Sequence, residues 1–358
     1  MERLSDKEWK PVSLGEVYNN YHGKRLTKEK RISGTTPLLT AGESNNGVAE
    51  FISNANMPQY SKFVSIDMFG NSFFHPYRAT GDDNIYFFEN LHLTAETKEF
   101  TCVSIEKQSC KFSYGKQFRQ RNADSLKTML PVTDSGEPDY AYMAEYVQQK
   151  RDTMLAKYRA YVEARIAELG ELVEIPVLGK KEWKPFSIVE LFPKIIPGRG
   201  KGLNHLPKVN TGGVNYIGAT NRNNGVLCYV EEDDYSRPMI LDGNCIGFIK
   251  NGDVSAGFAI YKAEKFISTS DVLYGYADWL NRFTGIFFVT AQDMIEHKYS
   301  HGYKRNKEHL AGDKVMLPID DSGEPDYAYM EQYAKNMMLR KYKQYLEFVN
   351  RQNVTEVD

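Results

Sequence analysis

Two stretches almost half a chain apart spell nearly the same words. "KTMLPVTDSGEPDYAYMAEYV" from Lys127 and "KVMLPIDDSGEPDYAYMEQYA" from Lys314 agree at 15 of 21 positions. Two more blocks recur in the same order: "KEWKPVSLGEVY" from Lys7 with "KEWKPFSIVELF" from Lys181, and "NNGV" from Asn45 with "NNGV" from Asn223. A chain of 358 residues that repeats a frame in order is a duplication, with enough residues for each copy to bury its own core. The offsets of 174, 178 and 187 residues mean that insertions have accumulated between the blocks. Upstream of the longest match the register holds without a gap, so "KFSYGKQFR" from Lys111 lies over "KYSHGYKRN" from Lys298. A constant frame with divergent interiors is the pattern of two modules that each read something different.

Each copy reads as a mixed domain followed by a long helix. Short β-rich runs bounded by Gly, Asn and Asp, such as "KFVSIDMFG" and "NIYFFEN", predict strands. After each "DSGEP" turn, Pro138 or Pro325 suits the first helical position, and Asp139 or Asp326 suits the positive end of the helix dipole. The first helix is predicted to run to Leu169, where Gly170 stops it; about 31 residues at 1.5 Å each span roughly 46 Å. Its apolar stripe is Tyr140, Met143, Val147, Met154, Tyr158, Tyr161 and Leu169. The second helix, predicted to be shorter at about 24 residues before Val349, repeats the stripe with Tyr327, Met330, Ala334, Met337, Tyr345 and Phe348. The expected fold is α+β. Two tandem mixed α/β domains, residues 1–131 and 182–318, are separated by two spacer helices, 132–170 and 319–350, that form an antiparallel coiled coil; 171–181 is a linker and 351–358 a tail.

The motifs of chemistry are mostly missing. "PGRGKGLN" has the wrong spacing for a phosphate loop, and His297 and His301 lack the glutamate of a zinc-protease helix. The Glu-x-Lys of a metal-dependent nuclease occurs in "EWK" at Glu8 and Glu182 and in "ETK" at Glu96, but no partner aspartate falls on a convincing upstream strand, and the repeated tryptophan reads as a packing anchor. The [ND]-P-P-[YFW] tetrapeptide of amino-methylating DNA enzymes is absent. Cys102, Cys110, Cys228 and Cys245 form no C-x-x-C pair and read as reduced thiols, with no metal site expected. No run approaches the roughly 18 apolar residues of a membrane span, and the start "MERLSDKEWK" is unlike a signal peptide, so the expected location is the cytoplasm.

A net charge of −2 excludes a generic polyanion sponge, yet positive charge is locally concentrated. "GKRLTKEKR" holds Lys24, Arg25, Lys28, Lys30 and Arg31; "KFSYGKQFRQR" holds Lys111, Lys116, Arg119 and Arg121, interleaved with Tyr114, Gln117 and Phe118. The second copy places Arg199, Lys201 and Lys208, then Lys298, His301, Tyr303, Lys304, Arg305 and Lys307, at comparable points. Arg, Lys, Gln and Asn read base edges, while Lys, Arg and backbone amides hold phosphates. Recurrence in both copies makes these clusters the candidate DNA contacts. Asn45, Asn46, Arg222, Asn223 and Asn224 join them as turn scaffold first and contacts second.

These residues resemble the specificity subunit of type I restriction-modification systems and the similar recognition subunits of type IIB systems. The carriers are "EWKPVSLGEVY" and "EWKPFSIVELF", "GKRLTKEKR" with "TPLLTAGESNNGV", "NYIGATNRNNGV", "KFSYGKQFR" with "KYSHGYKRN", and the two "DSGEPDYAYM" turns. The resemblance covers nearly the whole chain. It implies two target recognition domains, each binding one half of a split site in double-stranded DNA. It further implies spacer helices that dock adenine methyltransferase subunits and a restriction subunit, or a fused methyltransferase-nuclease. The chain itself then needs no cofactor, and the partners use S-adenosylmethionine and Mg2+. Its departures are His301 over Tyr114 and the shorter second helix. A stand-alone nuclease or methyltransferase with an unfamiliar site, and a protein-interaction scaffold of the same architecture, are the competing readings.

Overall fold

The structure, a computed structural model, describes residues 2–252, 254–300 and 302–355. It divides into two compact units, Met1–Ala160 and Tyr161–Asp358. Unit 1 holds strands β1 (Trp9–Ser13), β2 (Asn19–His22), β3 (Ser33–Leu39), β4 (Val48–Ile52), β5 (Phe63–Asp67), β6 (Ser72–His75), β7 (Thr80–Gly81), β8 (Ile85–Glu89) and β9 (Lys127–Pro131). Its helices are α1 (Leu14–Val17), α2 (Ala95–Glu106), α3 (Gln120–Ala123) and the start of α4 (Tyr140–Leu169), which ends in unit 2. Unit 2 repeats the order with one additional short strand, Lys208–Val209. Its strands are β10 (Trp183–Ser187), β11 (Lys194–Pro197), β12 (Lys208–Val209), β13 (Val214–Ile217), β14 (Val226–Val230), β15 (Cys245–Ile249), β16 (Ala259–Lys262), β17 (Phe266–Ser268), β18 (Val272–Tyr276) and β19 (Lys314–Pro318). Its helices are α5 (Ile188–Leu191), α6 (Arg282–Asp293), α7 (Lys307–Gly312) and α8 (Tyr327–Thr355).

The central sheet of unit 1, β2-β8-β5-β6, is antiparallel. Its inner strands are buried on both faces, which explains their near-continuous apolar runs. Because side chains alternate along a strand, Val64, Ile66, Tyr86 and Phe88 turn into one core with Phe100, Cys102 and Ile105 of α2. Phe63, Ile85 and Phe87 turn the other way, against Leu39 of the smaller sheet β4-β3-β7. Unit 2 builds the same layers from β11-β18-β15-β16 and β12-β14-β13-β17.

The repeated sequence blocks meet in space. In unit 1 the "EWKP" strand β1 pairs antiparallel with β9, Trp9 opposite Pro131 and Ser13 opposite Lys127; β10 and β19 repeat the register with Trp183 opposite Pro318. Glu8 and Glu182 extend these ladders, their carbonyls accepting from the Val132 and Ile319 amides. The Trp9 indole donates to the Leu4 carbonyl at 3.0 Å, and Trp183 to Leu178 at 3.2 Å. Trp9 stacks on Phe100 and Trp183 on Phe287, so both tryptophans are packing anchors. Lys7 reaches Asp139 at 2.9 Å and lies over the Tyr142 ring; Lys181 reaches Asp326 at 2.7 Å and lies over Tyr329.

These contacts correct the expected helix starts. Pro138 and Pro325 do not begin the helices; each bridges back, to Val132 and Ile319. Helix α4 starts at Tyr140 and α8 at Tyr327. Asp139 and Asp326 act as N-caps, their Oδ1 atoms accepting from the Tyr142 and Tyr329 amides. The preceding turns place Gly136 at φ +89° and Gly323 at φ +82°, where a side chain would be strained and would also meet the Lys10 or Lys184 ammonium.

The stripes are corrected too. Tyr140, Met143 and Val147 pack into the core of unit 1, and Tyr327 and Met330 into that of unit 2, so the first turns of each helix serve their own domain. Met337 lines an apolar cavity with Trp183 and Phe287, while Met154 and Tyr158 are exposed. Helix α8 runs to Thr355 rather than stopping before Val349, so its 29 residues nearly match the 30 of α4. Within unit 2, Tyr161 near the end of α4 meets the Tyr342 ring of α8, and Val173, past the end of α4, is held by both amide atoms of Asn336.

Asp139 both caps α4 and pairs with Lys7, and these roles separate by substitution. Asp139→Ala is expected to destabilise unit 1 by about 1–2 kcal/mol, whereas Asp139→Asn, which still caps, loses distinctly less. Urea denaturation of the two variants checks this; equal losses would show that the cap is not what matters.

Candidate nucleic-acid interface

The exposed candidates sit on loops whose shape the sequence demands. In the loop from β3 to β4, Asn45 and Asn46 have φ of 51° and 52°, followed by Gly47 at 78°; between β13 and β14, Asn223, Asn224 and Gly225 repeat this at 48°, 49° and 78°. Asparagine tolerates the left-handed region better than most residues, so N-N-G is what three such positions in a row select. The Gly47 carbonyl accepts from the Thr40 amide and that of Gly225 from Gly218, each at 2.9 Å. In the second copy the side chains are also employed, Asn223 donating to the Val226 carbonyl and Asn224 to that of Tyr261.

The first basic cluster begins at a glycine that cannot be anything else. A Cβ on Gly23 would lie 1.9 Å from the Asp82 carbonyl oxygen, and one on Gly198 would lie 2.1 Å from that of Thr269. Lys24 and Arg25 follow the first glycine, Arg199 the second, and all three are exposed.

The other basic cluster is a tight hairpin in each copy. Ser113 and Lys116 exchange both backbone hydrogen bonds, at 3.1 and 3.0 Å, as do Ser300 and Tyr303, at 3.3 and 3.0 Å. Each hairpin rests on the turn that follows a central strand. The Phe118 amide donates to the Met68 carbonyl, and the Arg305 amide to that of Lys250. Gly70 and Gly257, at φ +86° and +93°, leave room for the rings of Phe112 and Tyr299. In unit 1 the same turn ties down the Asn-Asn-Gly loop, because Asp67 accepts from the Gly42 amide at 3.0 Å. Arg25 pairs with Asp83 at 3.5 Å and Arg119 donates to the Asn84 carboxamide at 3.4 Å, so loop 82–84 carries one residue from each basic cluster. Clusters separated by about ninety residues of sequence therefore share one surface of unit 1. In unit 2, Asn221 accepts from Ser255, joining its Asn-Asn-Gly loop to the corresponding turn.

Residues 6–153 and 180–347 match the model of the type I restriction modification DNA specificity domain. The chain belongs to this family. It is 26% identical to the specificity subunit S.BcgI of a type II restriction enzyme from Heyndrickxia coagulans, over 90% of this chain and 93% of that protein. Its fold is similar to that of the type I restriction-modification system S subunit from M. genitalium, with a TM-score of 0.55 and 13% identity, covering 99% of this chain and 96% of that one. Two tandem domains of mixed helix and strand are thus the architecture of the family as well as of this chain.

On the two specificity domains the candidates sort by what they already hold. Lys24, Lys28, Lys30, Lys116, Arg119, Arg121, Arg199, Lys201, Lys208, Arg222, Lys298, Lys304 and Lys307 are exposed. Tyr114 is exposed at the first hairpin, while Gln117 is half-buried and accepts from Arg119. Tyr303 is stacked between Tyr299 and His309. His301 lies outside the described residues. Arg31 turns inward, paired with Glu50 on β4 and donating to the Leu26 carbonyl.

Arg305 is the clear correction: it is fully buried and cannot touch a ligand. Its Nε donates to Asp313 at 2.8 Å and its Nη1 to the Gly257 carbonyl at 3.0 Å; a further bond from Nη1 reaches Gln292. Tyr299 also donates to Asp313, at 2.8 Å. Burial pulls the Arg305 pKa down, and the Asp313 carboxylate opposes it. At the constant offset of 187, Gln292, Tyr299, Arg305 and Asp313 overlie Ile105, Phe112, Phe118 and Leu126. An apolar cluster in the first domain is thus a hydrogen-bonded ion pair in the second. Sequence reading missed this because an arginine between Lys304 and Lys307 has no outward mark of burial. The signal was Phe118 at the aligned position. Loop 82–84 was missed as well, although its "GDDN" is turn-like.

Removing one member of a buried ion pair strands the other. Arg305→Met alone is expected to destabilise unit 2 by about 3–5 kcal/mol. Installing the first domain's set together, Gln292→Ile, Tyr299→Phe, Arg305→Phe and Asp313→Leu, is expected to recover most of that loss. Chemical denaturation of both variants is the check.

Proposed function

We propose that this chain is the sequence-reading subunit of a restriction-modification complex and that it binds a split site in double-stranded DNA, one half-site to each specificity domain. The observation that supports this reading is a single loop framework built twice and furnished differently. Gly23 and Gly198, the two Asn-Asn-Gly turns and the two basic hairpins share backbone geometry, while the side chains they present differ. Identical scaffolds with unlike surfaces suit two half-sites of unlike sequence.

In this reading the chain is not itself an enzyme. Adenine methyltransferase subunits and a restriction subunit, or a fused methyltransferase-nuclease, assemble with it in the cytoplasm and bring S-adenosylmethionine and Mg2+. No described helix is long and apolar enough to cross a membrane. With a net charge of −2, this chain alone binds DNA weakly, because affinity for the duplex is built largely on neutralised phosphates. The partner arms supply the rest.

Methylation mapping in cells that carry the whole operon is the direct test. A bipartite methylated site is expected, and replacing residues 182–318 with those of another member is expected to change one half of it and leave the other. Methylation without sequence preference would overturn the reading. On the mapped site, Lys116→Ala and Arg121→Ala are expected to lower the slope of log affinity against log salt by about one each, with sequence preference retained. Filter binding over a salt series measures this.

A further inference from the structure

One side chain in the first domain is out of keeping with its surroundings. Tyr114 is 83% exposed, the most exposed aromatic among the described residues. It sits at the tip of the Ser113–Lys116 hairpin, where a large apolar ring gains nothing from folding. The aromatics on either side behave differently. Phe118 is fully buried, edge-on to Tyr86 at 5.0 Å and to Phe112 at 5.3 Å. The hairpin is thus clamped at its base by two rings and a backbone bond to Met68, and holds a third ring out into solvent. Lys111, Lys116, Arg119 and Arg121 flank it along the chain, with no carboxylate within residues 111–121.

We propose that Tyr114 is a stacking wedge, inserted against or between bases of the first half-site while the neighbouring cations hold the phosphates. The inference rests on the DNA-reading function above and adds the kind of contact made. An aromatic ring finds a face to stack on at any base, and a ring on a rigid arm can open a base step where one on a mobile loop would yield. Gly70, at φ +86°, lets the Phe112 ring and Ser109 pack closely against the turn at the base of the arm. The second hairpin is furnished otherwise. Its Tyr303 lies flat between Tyr299 and His309, at 5.8 and 4.5 Å, so that ring is held along the arm by its own neighbours.

The experiment uses the full chain assembled with its methyltransferase partner and a duplex carrying the mapped site. 2-Aminopurine replaces in turn each adenine of the first half-site and its flanking steps except the methylated one, which the methyltransferase itself turns out of the stack. Wild-type complex is expected to raise the fluorescence at one step, marking an unstacked base. Tyr114→Ala is expected to abolish that rise and to weaken binding by roughly 5- to 150-fold, the equivalent of one stacked base. Tyr114→Phe is expected to retain both. An alanine variant that binds and unstacks like wild type overturns the proposal. A phenylalanine variant as impaired as alanine also overturns it, since the hydroxyl and not the ring would then be reading. Wild-type complex that binds the mapped duplex but leaves every probe stacked overturns the wedge alone, whereas failure to prefer the mapped duplex overturns the DNA reading with it.

Discussion

Everything in each unit hangs on a short antiparallel ladder. Residues 9–13 pair with 127–131, and 183–187 with 314–318, closing each domain by joining its first strand to its last. Around that ladder a lysine, a tryptophan and an aspartate fix where the long helix starts. The lysine bonds the capping aspartate, the aspartate caps the helix, and the tryptophan stacks on the helix that covers the sheet. A residue in such a junction answers to several partners at once, so most replacements lose more than one interaction. This is the physical reason that the two stretches most alike in the sequence are the two that meet here.

Away from the ladder the copies are free to differ while the backbone stays the same. The hairpin base shows how far this freedom reaches. Four apolar side chains in unit 1 and a buried arginine, aspartate, glutamine and tyrosine in unit 2 support the same arm. Either solution satisfies its own interior, one by excluding polar atoms and the other by bonding them. A mixture of the two would satisfy neither.

Charge follows the same division. The chain is slightly acidic as a whole, yet its glycine-anchored loops and hairpins carry lysine and arginine on exposed sites. Asp83 and Asn84 steady Arg25 and Arg119 from below, so part of the basic surface is held in place before any ligand arrives. Preorganisation of that kind reduces the entropy lost when long side chains bind.

Much of this was legible in the amino-acid order. The duplication, the two mixed domains and the long helices follow from repeats, alternation and spacing, because these patterns report local geometry. Asn-Asn-Gly and "DSGEP" carry their own reasons, since positive φ restricts which residues can stand there. Other matters were decided by partners distant in the chain. Arg31 and Arg305 look like Lys24 and Lys304 in the sequence, but Glu50 and Asp313 draw them inward. Met143 and Met330 look like seam residues, but the sheet-covering helices bury them first. A helix period says that one face is apolar and is silent on what covers it; a basic run says that charge is present and is silent on whether it is already paired. Those questions depend on long-range contacts, and only the tertiary structure could answer them.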